Sequence, residues 1–519
     1  MTAEIPHPES DTTPIHGRAG FRTHLDRSQF PEGGMPSEEA YELLHTGLML
    51  DGRETLNLAS FVTTWMEPEA EQLIQDTLRK NHIDHDEYPA ASLIEEGCVH
   101  MLGDLFNAPD PAEVVGVGTI GSSEAIMLGL LAHKRAWVNR RKEAGLDHST
   151  PNVVYGAETH VVWDKFANYF DVEMRKIPMR PDRYVLAVED VEAVIDENTI
   201  AVGAVLGTTH IGEADPIEDL NDLLVRIKTE KGWNIPLHVD GASGGFIAPF
   251  AEPDLLWDFR LEQVASINVS GHKYGLVYPG VGWLVFRDKS KLPEDLVFSV
   301  NYLGGAQPTY TFNFSRGSAM IQAQMYNFLR LGRTGYTSIV RNMLANAAHL
   351  NEALAASGRF EILNPGLAEP VVTFKLADDP GFDVYHLSAR LRENGWIVPA
   401  YSLPPDAEDV HLLRVVVEAG TSRDSMIDLL LSISTRHTTI SRPSSRSSGR
   451  PPSPMCGPIP LTPRRTARPA PVWVDEFHPC PRGGGRSGVG GPPRRLALGG
   501  DDRPTRFRHA RAADIARRW

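Results

Sequence analysis

Residues 267–280 read INVSGHKYGLVYPG, and the fold turns on how that stretch divides. Ile267 to Ser270 continue a run of β-formers, and Gly271, His272, Lys273 and Tyr274 come next without a break. Lysine is among the last residue types to be buried. Lys273 at a strand end therefore either faces water or puts its amine to chemical use. An amine becomes nucleophilic when its free base is accessible, which a dry pocket or a neighbouring cation promotes. His272 is one such neighbour, and Ser270 offers a hydroxyl suited to phosphate.

Upstream, similar apolar runs recur as NVVYG (152–156), AVGAVLG (201–207), IPLHV (235–239) and SINVS (266–270), and GVGWLVF (280–286) lies downstream. Amphipathic stretches lie between them, as in 122–145 and 217–232. Near-continuous apolar strands alternating with helices predict a largely parallel sheet covered on both faces. After about Gly335 the pattern changes to a smaller α+β unit, with strands near VVTFKL (371–376) and LRVVV (413–417) and helices near 337–357, 383–395 and 422–434. The expected organisation is an N-terminal arm over 1–55, a large domain over 56–335, a small C-terminal domain over 336–437 and a Pro/Arg/Gly-rich tail over 438–519. That tail has no periodicity and cannot build a core.

With 519 residues, 41% hydrophobic and 23% charged, the chain is ordinary for a globular protein of two or more domains. Cys98, Cys456 and Cys480 are too few and too scattered for a disulfide framework or a zinc cluster, so no metal site is expected and a reducing cytoplasm suits the chain. The start, MTAEIPHPES, lacks the features of a signal peptide, and no apolar run reaches membrane-spanning length. Residues 441–519 hold 16 Arg, no Lys and 5 acidic residues, a net +11, so the other 440 carry −27 of the total −16. An acidic body does not attract nucleic acid. Neither nucleic acid nor a membrane is thus an expected partner.

Two further motifs stand out, one before a helix and one at a strand end. GTIGSSEAIMLG (118–129) places a glycine turn and two serines before a helix. Its amides and hydroxyls make an anion cup suited to phosphate, unless Ser122 or Ser123 merely caps the helix. It lacks the Lys of a triphosphate-binding loop. PLHVDGASGG (236–245) sets Asp240 directly after a strand, where it either meets a cationic ligand group or caps the next helix. A phosphate cup, an Asp at a strand end and a Lys at a later strand end are together what pyridoxal 5'-phosphate requires.

In this order, GSSEA, HVDGASGG and SGHKYG resemble the group II pyridoxal-phosphate decarboxylases, and most nearly the bacterial and plant glutamate decarboxylases. The likeness extends through NLASFVTTWMEPEA (57–70), NHIDHDEYP (81–89), WDFRL (257–261) and YLGGAQPTYTFNFSR (302–316), and covers roughly residues 20–435. It implies the type I aminotransferase-like α/β fold, a mostly parallel central sheet with a small α+β domain, in which two subunits share each active site. It implies a homodimer at least, with hexamers frequent among bacterial relatives.

By that resemblance Lys273 takes the place of the Schiff-base lysine and Asp240 that of the pyridinium partner. Ser122 and Ser123 hold the phosphate, assisted by Ser270 and His272, and Ser315 reaches it from the neighbouring subunit. His160 stacks on the cofactor ring, Ala242 packs on the other face, and Thr209 lies near cofactor and substrate carboxylate. Ser60 and Phe61, with Asn81 and Asp84 of the partner, lie where relatives hold the distal carboxylate of glutamate. Arg414 matches a small-domain arginine near the substrate carboxylate. Tyr302 and Lys273 are the candidate proton donors to Cα. The implied activity is a carboxy-lyase converting L-glutamate to 4-aminobutyrate and CO2, consuming a proton, as suits acid tolerance.

Aspartate or an aromatic amino acid is the alternative substrate, and a non-catalytic cofactor-binding protein the alternative class. EAGTSRD (418–424) departs from the more basic pattern of relatives. The tail has the Arg bias of a GC-rich coding region read in a shifted frame, and is expected to be a disordered frameshift product; a basic arm for nucleic acid or anionic lipid is the rival reading.

Overall fold

The computed structural model describes residues 28–181, 183–301, 307–366 and 368–441. Tyr302 and nearly all of the expected tail lie outside the described residues.

A seven-stranded sheet forms the centre. In chain order its strands are β1 (Val115–Thr119), β2 (Asn152–Gly156), β3 (Glu173–Ile177), β4 (Thr199–Val205), β5 (Leu237–Asp240), β6 (Val264–Ser270) and β7 (Gly282–Phe286), arranged β1-β7-β6-β5-β4-β2-β3. Every residue of β2, β4, β5, β6 and β7 is buried. The apolar runs seen in the sequence are thus the strands covered on both faces.

Two strands escape that pattern because they are edges. β1, VGVGT, is short and half-buried, and β3, EMRKI, is mostly polar. On β3, Arg175 pairs with Glu173 and Asp196, and Lys176 with Asp164. Charges on an edge strand discourage further pairing.

β7 is the one antiparallel member of this sheet. Its connection from β6, residues 271–281, is too short for the crossover that a parallel neighbour needs. The chain must turn back at once, and Lys273 sits in that turn.

Helices α1 (Ser37–Leu48), α2 (Pro68–Thr77) and α3 (Pro89–Leu105) precede the sheet, and α4 (Ser122–Glu143), α5 (Val162–Tyr169), α6 (Val188–Val194), α7 (Ile217–Lys231) and the single turn α8 (Ala248–Ala251) alternate with its strands. α7 ends at Gly232, whose φ of 71° is the left-handed stop that glycine favours. The long α9 (Ala319–Ala356) bends at Gly332 and runs through residue 335, where the sequence pattern changes. A hairpin of β8 (Phe298–Val300) and β9 (Gln307–Thr309) precedes it.

Beyond α9 lies a four-stranded antiparallel sheet of β10 (Phe360–Ile362), β11 (Val371–Leu376), β12 (Ala400–Ser402) and β13 (His411–Val416), ordered β10-β11-β13-β12, with α10 (Val384–Arg392) and α11 (Arg423–Ser441). One apolar cluster joins Val239 and Val269 of the large sheet, Tyr336 and Leu350 of α9, and Val372 and Val415 of the small sheet.

Candidate active site

β1, β2, β4, β5 and β6 run parallel, so their carboxyl ends open on one rim, where ligands of such sheets bind. The segments leaving them carry Ser122 and Ser123, His160, Thr209, Asp240 and Ala242, and Ser270, His272 and Lys273. All nine line a single cavity of about 360 Å³.

The cup is built at the start of α4. Gly121 is its N-cap and no side chain caps it, so the capping role open to Ser122 and Ser123 is not taken. The first turn of this 22-residue helix lines the cavity, at the positive end of the helix dipole. The Ser122 and Ser270 hydroxyls meet at 2.7 Å and tie this turn to the end of β6. Close approach needs glycine here: a Cβ on Gly282 would lie 2.5 Å from the Gly121 carbonyl carbon. His272 Nδ1 donates to the Val281 carbonyl at 3.0 Å. Burial lowers its pKa, so it is not the cation that the sequence offered as a neighbour for Lys273.

Asp240 is 3% exposed. Its Oδ1 accepts from the Ala242 amide at 3.1 Å and from Asn268 Nδ2 at 2.9 Å, and no described donor takes Oδ2. Behind it runs a buried relay. His238 Nε2 meets Asn268 Oδ1 at 2.9 Å, and Ser266 Oγ lies 2.7 Å from both His238 Nδ1 and His133 Nε2. Burial lowers both imidazoles, His238 to about 4. A neutral His238 facing the acceptor Asn268 Oδ1 carries its proton on Nε2, so Ser266 donates to Nδ1 and accepts from His133. Sequence reading missed this relay, although it had a signal. Ser266, Asn268 and Ser270 alternate along β6, as do His238 and Asp240 along β5, giving each strand a polar face.

Lys273 places its Nζ 5.0 Å from the centroid of the Phe61 ring. Burial lowers its pKa and Arg414 adds to that, against the opposite pull of Asp240 and Glu369. The free amine is thereby favoured. The segment carrying Ser60 and Phe61 is stitched to this turn: the Thr63 amide donates to the His272 carbonyl at 2.9 Å and its hydroxyl to the Lys273 carbonyl at 2.8 Å. Arg414, from β13, stacks on Phe61 at 5.1 Å and donates to the carbonyls of Thr209 and Ala59. Phe61, Thr209 and Arg414 are thus gathered beside Lys273, while the Ser60 hydroxyl accepts from the Val62 amide at 3.1 Å. Phe61, Lys273 and Glu418 also line a neighbouring cavity of about 320 Å³.

Asn81, Asp84 and Ser315 line neither cavity. Asn81 Nδ2 donates to Ser315 Oγ at 3.4 Å and its Oδ1 accepts from the Arg316 amide at 3.2 Å. Asn81 and Asp84 do not cap α3, whose N-cap is Tyr88 without a side-chain bond. Glu95 anchors this patch through His82 and Arg316, each at 2.8 Å. Burial opposes its charge, but those two partners prevail and bring its pKa to about 2.

The residues fit pyridoxal phosphate. An anion cup stands at one end of the cavity and an unfilled carboxylate oxygen of Asp240 awaits a cationic N–H. The Lys273 amine opens on the same space, whose volume lies in the range of small-molecule pockets.

A family model described as pyridoxal-dependent decarboxylase conserved domain matches residues 37–377. A glutamate decarboxylase of Petunia hybrida is 50% identical over 404 residues, spanning 78% of this chain and 81% of that protein. One from Aliivibrio fischeri is 45% identical over 420 residues, spanning 80% and 90%. Among solved structures, a glutamate decarboxylase of Lactobacillus brevis is similar with a TM-score of 0.80 at 40% identity, covering 83% of this chain and 98% of that one.

Proposed function

The chain belongs to the pyridoxal-dependent decarboxylase family, and from that premise we propose that it removes the α-carboxylate of L-glutamate as CO2, leaving 4-aminobutyrate. The observation that carries this reading is the convergence of Lys273, Asp240 and the Ser122 cup on one cavity.

Pyridoxal phosphate is the cofactor, and when bound it supplies the sink for the electrons of the breaking Cα–carboxylate bond. Lys273 Nζ, whose pKa is lowered by its enclosure, is the atom that would hold it. The Ser122 and Ser123 hydroxyls, with Ser270 and His272, bind the phosphate. Asp240 holds a proton at the ring nitrogen through Oδ2, while Ala242 and Asn268 fix its Oδ1. His160 and Ala242 would hold the cofactor ring between them. Thr209 and Arg414 orient the α-carboxylate of the substrate. Ser60 and Phe61 receive the distal carboxylate, completed by Asn81 and Asp84 from a second subunit, whose Ser315 also reaches the phosphate. Lys273 Nζ or Tyr302 Oη returns the proton to Cα.

Each turnover consumes one proton, so the activity suits acid tolerance. The working form under this reading is a homodimer or a larger assembly in the cytoplasm. Among the described residues no helix is long and apolar enough to cross a membrane.

Release of CO2 from glutamate, aspartate and aromatic amino acids, measured from about pH 4 to 8, tests the proposal. Release from glutamate above the others is expected. One methylene is worth only about 1–3 kcal/mol in a pocket, so aspartate is the stringent control, and preference for it would overturn the substrate. Release from none, with cofactor bound, would favour a non-catalytic protein.

A further inference from the structure

Glu369 stands just before β11 and is 1% exposed, yet neither carboxyl oxygen has a hydrogen-bond partner among the described residues. The carboxyl lies directly behind the cofactor cavity. It rests against Gly207, whose other side is cavity wall, so that a Cβ on Gly207 would fall 1.7 Å from Glu369 Oε1. Gly207 also needs φ of 91°, so both the space and the backbone call for glycine. The Ser243 hydroxyl, a donor near the carboxyl, is engaged with the Gly207 carbonyl at 3.2 Å.

Charged and titratable groups face this carboxyl from several elements. Lys273 and Tyr274 come from the β6–β7 turn, Asp240 from the end of β5 and Arg414 from β13. Glu252 and Gly244 line a small cavity with it. Burial pushes the carboxyl up to about 8, against the opposing pull of Ser243, Lys273 and Arg414. The neutral acid is thereby favoured.

We propose that Glu369 is a positioning residue for substrate: as a neutral acid it leaves Arg414 uncompensated for the substrate carboxylate, and its ionisation weakens that attraction. Ligand charge and carboxyl charge then compete for the same cation. A dicarboxylate must bind the protonated form more tightly, and above pH 8 its binding must draw a proton onto Glu369. The proposal rests on the reading of Arg414 as a substrate-carboxylate contact.

Glutarate, a dicarboxylate lacking the amino group, is the probe. Its affinity for the cofactor-loaded protein is measured by calorimetry between about pH 7 and 9.5 in buffers of different ionisation enthalpy, alongside KM and kcat for glutamate. In the wild type, Kd and KM are expected to rise on the order of tenfold, the equivalent of one pKa unit, with kcat changing less and up to one proton taken up per site above pH 8. In Glu369→Gln the rise should fall within about twofold and the proton uptake should vanish. Glu369→Met, which has no polar atom to strand, should behave the same and serves if the Gln variant does not fold. Equal alkaline rises in wild type and variants, or no proton uptake by the wild type itself, would overturn the role of Glu369. Failure of glutarate to bind at any pH would instead overturn the substrate reading, and this inference with it.

Discussion

Lys273 and Glu369 are both ionisable groups enclosed by protein, and burial moves each toward its neutral form, the amine down and the carboxyl up. For Lys273 that neutral form is the nucleophile; for Glu369 it withholds a charge. The carboxyl has a cost that can be measured. Its folded pKa of about 8 lies above the unfolded value of about 4.3. Between those two values the folded state binds a proton that the unfolded state does not, so stability falls as pH rises through the window and levels off above it. Glu369→Met lacks the proton, and its thermal midpoint is expected to exceed the wild type's at pH 7, with the gap shrinking as pH approaches about 4.3. A gap independent of pH would contradict the buried proton. The lysine and Asp240 were legible in the sequence because each is a charge set at the end of an apolar run. Glu369 was not, because a lone acid before a strand carries no mark of burial until Gly207 and the small domain close around it.

At the scale of elements, β5 and β6 do more than carry residues to the rim. Their polar faces hold His238, Ser266 and Asn268 in the relay that fixes one oxygen of Asp240. Asn268→Leu leaves His238 Nε2 without its acceptor and removes one donor from Asp240, and stranding a buried polar group costs about 1–3 kcal/mol. The cofactor Kd, read by absorbance titration, should weaken about 5- to 150-fold, and Ser266→Ala, one bond farther from Asp240, should weaken it less. Unchanged affinity in Asn268→Leu would show that Asp240 does not depend on the relay. The apolar runs revealed β2 and β4 to β7, but reading SINVS as uniformly apolar hid its alternation. β1 and β3 were missed because edge strands need no continuous apolar pattern. The reversal of β7 results from a connection too short for a crossover.

At the scale of the whole molecule, the site is assembled across long stretches of chain. Arg414 bonds to Thr209 and Ala59, 205 and 355 residues away in sequence. No spacing rule reaches across such separations. The resemblance of motif to family supplied Arg414, and the packing of the small sheet supplies its place beside Phe61. Asn81 and Ser315 bond to one another outside the cavity of their own chain, and in the proposed function both serve a second subunit's site. The distribution of labour still rests on one atom, Lys273 Nζ. Borohydride reduction of the cofactor-loaded protein, followed by digestion and mass analysis of its peptides, tests that atom directly. A single pyridoxyl-phosphate adduct is expected on the peptide bearing Lys273, absent from Lys273→Ala; an adduct on another lysine, or none in a protein that binds the cofactor, would contradict the role of Lys273.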